Sequence, residues 1–79
     1  MRIKSNTKAK NTLCLTHRYT VRVLAQDGEI IFMGGCDDEG GAHIVAMSER
    51  DSAIYSDLDP EWTQVIDNHN KAFLLNKIA

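Results

Sequence analysis

The sequence predicts an α+β fold in which a small three-stranded antiparallel sheet packs against one C-terminal helix. Residues 17–24 alternate between apolar and polar side chains, and apolar residues recur at helical spacing after Pro60. The 79 residues suffice for one small domain, because so short a chain cannot build two hydrophobic cores. We interpret residues 13–79 as this domain and residues 1–12, which lack an apolar period, as a flexible basic arm.

A β-hairpin is predicted over about residues 17–33. The pair Asp27-Gly28 suits a two-residue type I′ turn, because both turn positions adopt positive φ. The resulting register places Val23 opposite Phe32. One apolar surface then faces the core, formed by Tyr19, Val21, Val23, Ala25, Ile30 and Phe32.

The segment after the hairpin is interpreted as a mobile loop followed by a third strand. Four glycines and three acidic residues occur within residues 34–41, a composition typical of a flexible connection. The apolar run that follows predicts a strand at about residues 42–47.

Two helices are predicted after that strand. Ser48 and Asp51 have the spacing of a capping box, which favours a short helix over about residues 49–57 that buries Ile54 and Leu58.

The C-terminal helix is predicted over about residues 60–76. Asp59 can cap it, Pro60 suits the first helical position, and Glu61 favours the positive end of the helix dipole. The apolar stripe consists of Trp62, Val65, Ile66, His69, Ala72 and Phe73.

The charges are divided along the chain, although the net charge is only −2. Residues 1–26 carry six basic residues and no acid, whereas all eleven acids fall within residues 27–67, where Arg50 is the only basic residue. Such charges can simply solvate the outer faces of a domain. Alternatively, they indicate a dipolar molecule whose acidic side meets a basic partner.

The leading functional hypothesis is a non-enzymatic protein-binding module, an inhibitor or adaptor, that presents an acidic surface to a basic partner. The partner could be a nucleic-acid-processing protein, by analogy with phage-type inhibitors as a class. Such inhibitors occupy a groove of the target protein that otherwise binds nucleic acid. The predicted partner-binding residues are Asp37, Asp38, Glu39, Glu49, Asp57, Glu61 and Trp62. A homodimer is a further hypothesis, because Leu24, Ile31 and Met33 form an apolar patch that a dimer contact or the N-terminal segment would cover.

The alternative hypothesis is a small nucleic-acid-binding regulator that uses the basic arm. Its phosphate contacts would come from Arg2, Lys4, Lys8, Lys10, Arg18 and Arg22. The acidic middle of the chain opposes this hypothesis, because it would repel DNA.

Nothing in the sequence predicts catalysis, a cofactor or a metal. Cys14 and Cys36 form no CxxC motif, and they lack the local spacing to His17 and His43 that a zinc site requires. We therefore expect Cys14 to pack as a small hydrophobe. The acidic glycine loop also lacks the spacing of a calcium-binding loop.

The composition excludes a membrane span and favours a cytoplasmic protein. No uninterrupted apolar run exceeds four residues, the length of Ile30–Met33. No apolar stretch follows the basic N-terminus, so a cleaved secretion signal is not expected. The two cysteines do not make a disulfide framework, which indicates a reducing compartment.

Overall fold

The computed structural model describes residues 13–78 and contains four strands and one helix in this range. The elements are β1 (Tyr19–Ala25), β2 (Ile30–Cys36), α1 (Glu39–Tyr55), β3 (Pro60–Asp67) and β4 (Ala72–Ile78). The predicted three-stranded sheet with a C-terminal helix is therefore wrong. The arm predicted for residues 1–12 lies outside the described residues. No helix within the described range is long and apolar enough to cross a membrane.

The four strands form one sheet in the order β2-β1-β3-β4, and every neighbouring pair is antiparallel. Because β2 and β3 are both antiparallel to β1, they run parallel to each other on either side of it. Parallel strands need a crossover connection, and α1 supplies it. The fold thus consists of two hairpins joined by a helix that packs on one face of the sheet.

The first hairpin is present, but its turn differs from the predicted one. Val23 pairs with Phe32 as expected. The connection has three residues, 26–28, because the Ala25 N–H donates to the Glu29 carbonyl at 2.9 Å. Gly28 has a φ of 88°, whereas Asp27 does not adopt positive φ, so the turn is not type I′. A bulge beside Val23 shifts the following pair of residues.

The helix α1 replaces the second half of the predicted glycine loop, the predicted third strand at 42–47 and the predicted short helix at 49–57. Asp38 is its N-cap, because the Asp38 Oδ2 atom accepts from the Gly41 N–H at 2.8 Å. The helix faces the sheet with three small buried side chains at helical spacing, Ala42, Ala46 and Ala53. A short, mainly apolar segment such as residues 42–47 fits a strand or a buried helix equally well, and packing against the sheet decides for the helix.

The hairpin of β3 and β4 replaces the predicted C-terminal helix at 60–76. In β3, Thr63 and Val65 pair with residues of β1 that face α1, whereas Gln64 and Ile66 face the opposite side. All four residues are buried. Burial on both faces removes the apolar–polar alternation by which a strand is recognised, so the helical spacing there is coincidental.

Pro60 and His69 lie at the start of β3 and just after its end, and neither has the helical role that the sequence predicts. Pro60 begins the strand, a position that tolerates its missing N–H, and does not begin a helix. At the other end, the Asp67 Oδ1 atom accepts from the His69 N–H at 3.0 Å and shapes the turn to β4. His69 is therefore an exposed turn residue and not part of a helical stripe.

The core lies between α1 and the sheet. Its central members are Tyr19, Val21, Ala42, Ala46 and Val65. The opposite face of the sheet is also buried, at Thr20, Arg22, Leu24, Gln64 and Ile66. Leu24 is only 7% exposed, so the apolar patch predicted as a dimer contact is not open at this residue.

Candidate partner-binding site

Three exposed large hydrophobic side chains lie at the C-terminal end of α1. Ile54 is 53% exposed, Tyr55 93% and Leu58 51%, although the sequence predicts that Ile54 and Leu58 are buried. The prediction fails because Ala53 takes the inward position in the last turn of α1, where it is 3% exposed. Clustered apolar side chains on a surface indicate an interaction site more often than isolated ones do.

The chain leaves α1 through a Schellman motif with an aspartate at its critical position. The Leu58 N–H donates to the Ala53 carbonyl at 2.9 Å, and the Asp57 N–H donates to the Ile54 carbonyl at 3.0 Å. Asp57 has a φ of 64°, and Asp59, two residues later, has a φ of 56°. Glycine is the usual residue at the first of these positions, because a side chain strains the left-handed conformation.

The charges at this end of the helix oppose its dipole. The carboxyl end of a helix carries a partial negative charge and favours Lys or Arg, yet the last turn contains no basic residue. Asp57 and Asp59 are exposed there instead. Within residues 13–78 no cation forms an ion pair with either of them, and the nearby Arg50 pairs with Asp51 at 2.9 Å. Among the described residues, the negative charges of Asp57 and Asp59 are therefore not neutralised by an ion pair.

Two open clefts border the same residues. One has a volume of about 340 Å³ and is lined by Ala25, Gln26, Asp27, Leu58 and Asp59. The other has a volume of about 220 Å³ and is lined by Ile54, Asp57, Asp59 and Pro60. We call the surface formed by Ile54, Tyr55, Asp57, Leu58 and Asp59 the acidic corner.

The predicted acidic residues Asp37, Asp38 and Glu39 lie at the other end of α1. The helix has 17 residues, which separates the two ends by about 25 Å at the usual rise per residue. Each of these acids has a local structural contact. Asp37 accepts from the Arg18 N–H at 3.3 Å, Asp38 caps the helix, and Glu39 lies 3.9 Å from His43.

The remaining predicted partner-binding residues are partly buried. Glu49 lies on α1, and Glu61 and Trp62 lie at the start of β3. Trp62 pairs with Leu24 and so belongs to the sheet face opposite α1. Of the predicted set, only Asp57 belongs to the acidic corner.

The residues predicted for nucleic-acid binding divide into two groups. Arg2, Lys4, Lys8 and Lys10 lie outside the described residues. Arg18 forms a bidentate pair with Asp67, through Nε to Oδ1 at 3.0 Å and Nη2 to Oδ2 at 3.2 Å. Arg22 is 1% exposed and donates to Gln64 Oε1 from Nε at 3.0 Å and from Nη2 at 2.7 Å. Burial lowers the pKa of the Arg22 guanidinium.

The contacts of Asp67 predict a pH dependence of stability. Its hydrogen bonds from Arg18, followed by those from Asn70 and His69, lower its pKa from 3.8 to about 2. The ionised carboxylate therefore stabilises the fold above pH 3.8, and this stabilisation is lost as the pH falls toward about 2. We expect the melting temperature of the wild type to fall more across this range than that of Asp67→Asn. Parallel pH profiles, measured by circular dichroism, would contradict this assignment.

A second cluster of reactive groups lies where the chain enters β1. Cys14 and His17 meet there, and the Sγ atom is 3.8 Å from Nδ1. Cys14 therefore does not simply pack as a hydrophobe. Among the described residues, no group of three or more His, Cys, Asp and Glu side chains is placed to hold a metal ion.

The fold and the acidic corner define a small α+β protein with an exposed acidic and apolar surface. No family model matches the chain, and neither a curated protein nor a solved structure shows significant similarity to it.

Proposed function

We propose that this chain is a non-enzymatic protein-binding module, an inhibitor or adaptor, whose acidic corner binds a partner with a basic surface. The observation that carries the proposal is the exposure of Ile54, Tyr55 and Leu58 beside two aspartates. Exposed apolar anchors within a charged rim are typical of protein interfaces, and Tyr is among the residues that contribute most to binding energy.

The local strain supports the same proposal. Asp57 and Asp59 adopt left-handed backbone conformations, and their negative charges oppose the helix dipole. Backbone strain of this kind clusters at functional sites. A cationic side chain of a partner would neutralise both charges.

Charge complementarity defines the kind of partner. The corner fits a surface that places Lys or Arg against the two aspartates and an apolar side chain against Leu58. Proteins that process nucleic acids expose basic grooves of this kind, so occupation of such a groove accounts for an inhibitor or adaptor role. The same attraction would steer association and weaken with salt.

The experiment compares two bait proteins that lose the same charge at opposite ends of α1. Asp57→Gly/Asp59→Gly removes the corner acids and relieves the left-handed strain, whereas Asp37→Asn/Glu39→Gln removes two acids and keeps the Asp38 cap. Proteins captured from the native host are identified by mass spectrometry, and their affinity is measured by calorimetry at low and high salt. We expect the corner variant to bind about tenfold more weakly, which is roughly the effect of losing one good charge contact.

The melting temperature of each bait separates binding from folding. The corner variant should melt at the same temperature as the wild type or higher, because glycine adopts the left-handed conformation without strain. Weaker binding by this more stable protein would support the corner as the binding site. Equal weakening by both variants would mean that net charge alone governs binding, and no weakening by the corner variant would overturn the proposal.

A further inference from the structure

Cys14 and His17 form a thiol–imidazole pair that no part of the proposed function uses. The Cys14 Sγ atom lies 3.8 Å from His17 Nδ1 and 3.6 Å from the Thr16 hydroxyl oxygen. The hydroxyl oxygen is in turn 3.0 Å from Nδ1. The Thr16 hydroxyl therefore bridges the thiol and the imidazole. A nucleophile that hydrogen bonds connect to a base is the arrangement of an activated side chain.

Residues distant in the sequence hold this pair in place. The Asn68 side chain donates from Nδ2 to the carbonyls of both Cys14 and His17, at 3.0 and 2.9 Å. The Cys14 N–H donates to the Thr20 hydroxyl at 3.0 Å. The backbone of the pair is therefore bound to the ends of β1 and β3, so the two side chains are positioned before any reaction occurs.

Gly35 on β2 leaves the space that the pair occupies. A Cβ atom at this position would lie 2.6 Å from His17 Nδ1 and 2.8 Å from Cys14 Sγ. Both distances are too short for real contacts, so any side chain here would displace the thiol or the imidazole. His17 is exposed and Cys14 is half-buried, so the pair lies at the surface of the protein.

Cys36 provides a comparison within the same chain. It is also a free thiol and partly buried, but it packs against the core cluster beneath α1. Among the hydrogen bonds of the described residues, none joins the Cys36 sulfur to a histidine, whereas Cys14 has such a contact. The two cysteines thus differ in the presence of a neighbouring base.

We propose that Cys14 is a reactive thiol that forms mixed disulfides with small-molecule disulfides, with His17 as the base that acts through the Thr16 hydroxyl. The Cys14 sulfur attacks one sulfur of the disulfide, the S–S bond breaks, and the other half leaves as a thiolate. In the tautomer that carries hydrogen on Nε2, the single lone pair of Nδ1 faces the Thr16 hydroxyl, its nearer partner. The thiol proton therefore passes to the Thr16 oxygen while the hydroxyl proton passes to Nδ1, and the protons return along the same path to the departing thiolate. Cys14 is oxidised to the mixed disulfide and one half of the reagent is reduced to a thiol.

The test uses dithiodipyridine, an uncharged disulfide whose thione product is followed by absorbance. Cys36→Ser leaves only Cys14, and Cys14→Ser leaves only Cys36. A peptide of residues 11–20 supplies the same local sequence without the fold. We expect Cys14 in the folded protein to react about tenfold faster than the peptide, a modest effect for a positioned base. Greater exposure cannot explain such a result, because the peptide thiol is fully accessible.

A second variant tests the role of His17. Asn in place of His17 keeps a polar side chain at this position but cannot take the proton, so Cys36→Ser/His17→Asn should react about tenfold more slowly than Cys36→Ser. Circular dichroism confirms that each variant is folded. If folded Cys14 reacts no faster than the peptide, or if His17→Asn leaves the rate unchanged in a folded protein, the proposal is wrong.

Discussion

Replacing Arg22 by alanine should lower the free energy of unfolding by about 2–4 kcal/mol. Arg22 is 1% exposed, and its guanidinium donates to Gln64 Oε1 from both Nε and Nη2. Alanine removes these donors, so the buried Gln64 Oε1 atom loses both hydrogen bonds. The packing of the arginine stem against its neighbours is lost as well. Urea denaturation followed by circular dichroism measures the loss.

Two further variants distinguish the buried hydrogen bonds from a general effect of charge. Arg50→Ala removes an arginine whose ion pair with Asp51 lies at the surface, so it should change stability by less than about 1 kcal/mol. Arg22→Met/Gln64→Leu replaces both buried partners by apolar side chains and should recover part of the lost stability. Equal losses for Arg22→Ala and Arg50→Ala would show that the buried contact contributes little.

The first hairpin was predictable because its signals are local. Alternation along β1 and a glycine after Asp27 are both contained within ten residues of sequence. The turn type was less predictable, because it depends on whether Asp27 or only Gly28 adopts positive φ. The pairing of Val23 with Phe32 survives this difference because a bulge absorbs the extra turn residue.

The helix and the second hairpin were not predictable from periodicity, because both are buried in unusual ways. The apolar stretch of α1 faces the sheet through alanines, which carry a weak hydrophobic signal. In β3 both faces are buried, so Gln64 occupies a buried position that a half-exposed strand would give to solvent. The spacing of Ala42, Ala46 and Ala53 is the signal that could have identified the inward face of a single long helix.

The acidic character of the candidate site was predictable from the sequence, but the exposure of its apolar side chains was not. Asp57 stands out in a sequence scan because acids dominate this region. Tyr55 and Leu58 do not, because their exposure depends on which side of α1 meets the sheet. The contact of Cys14 with His17 depends in the same way on Asn68, which lies more than 50 residues away and ties both backbone carbonyls to one turn.

Replacing Ala46 by leucine should lower the free energy of unfolding by about 1–3 kcal/mol. Ala46 is fully buried in the cluster that contains Val21 and Val65. A leucine there cannot fit without moving α1 away from the sheet, because protein interiors are closely packed. Urea denaturation measures the change, which should appear as a lower midpoint.

The matched control is Ser48→Leu, which adds a leucine to an exposed position of the same helix. Its effect should stay within about 0.5 kcal/mol, because surface substitutions rarely change stability by more. Similar losses for both variants would mean that leucine disturbs α1 at any position and that the helix does not depend on small residues at the sheet. A loss confined to Ala46→Leu would show that close approach of α1 to the sheet stabilises the fold. With this face of α1 against the sheet, Ile54 and Tyr55 point outward at the acidic corner.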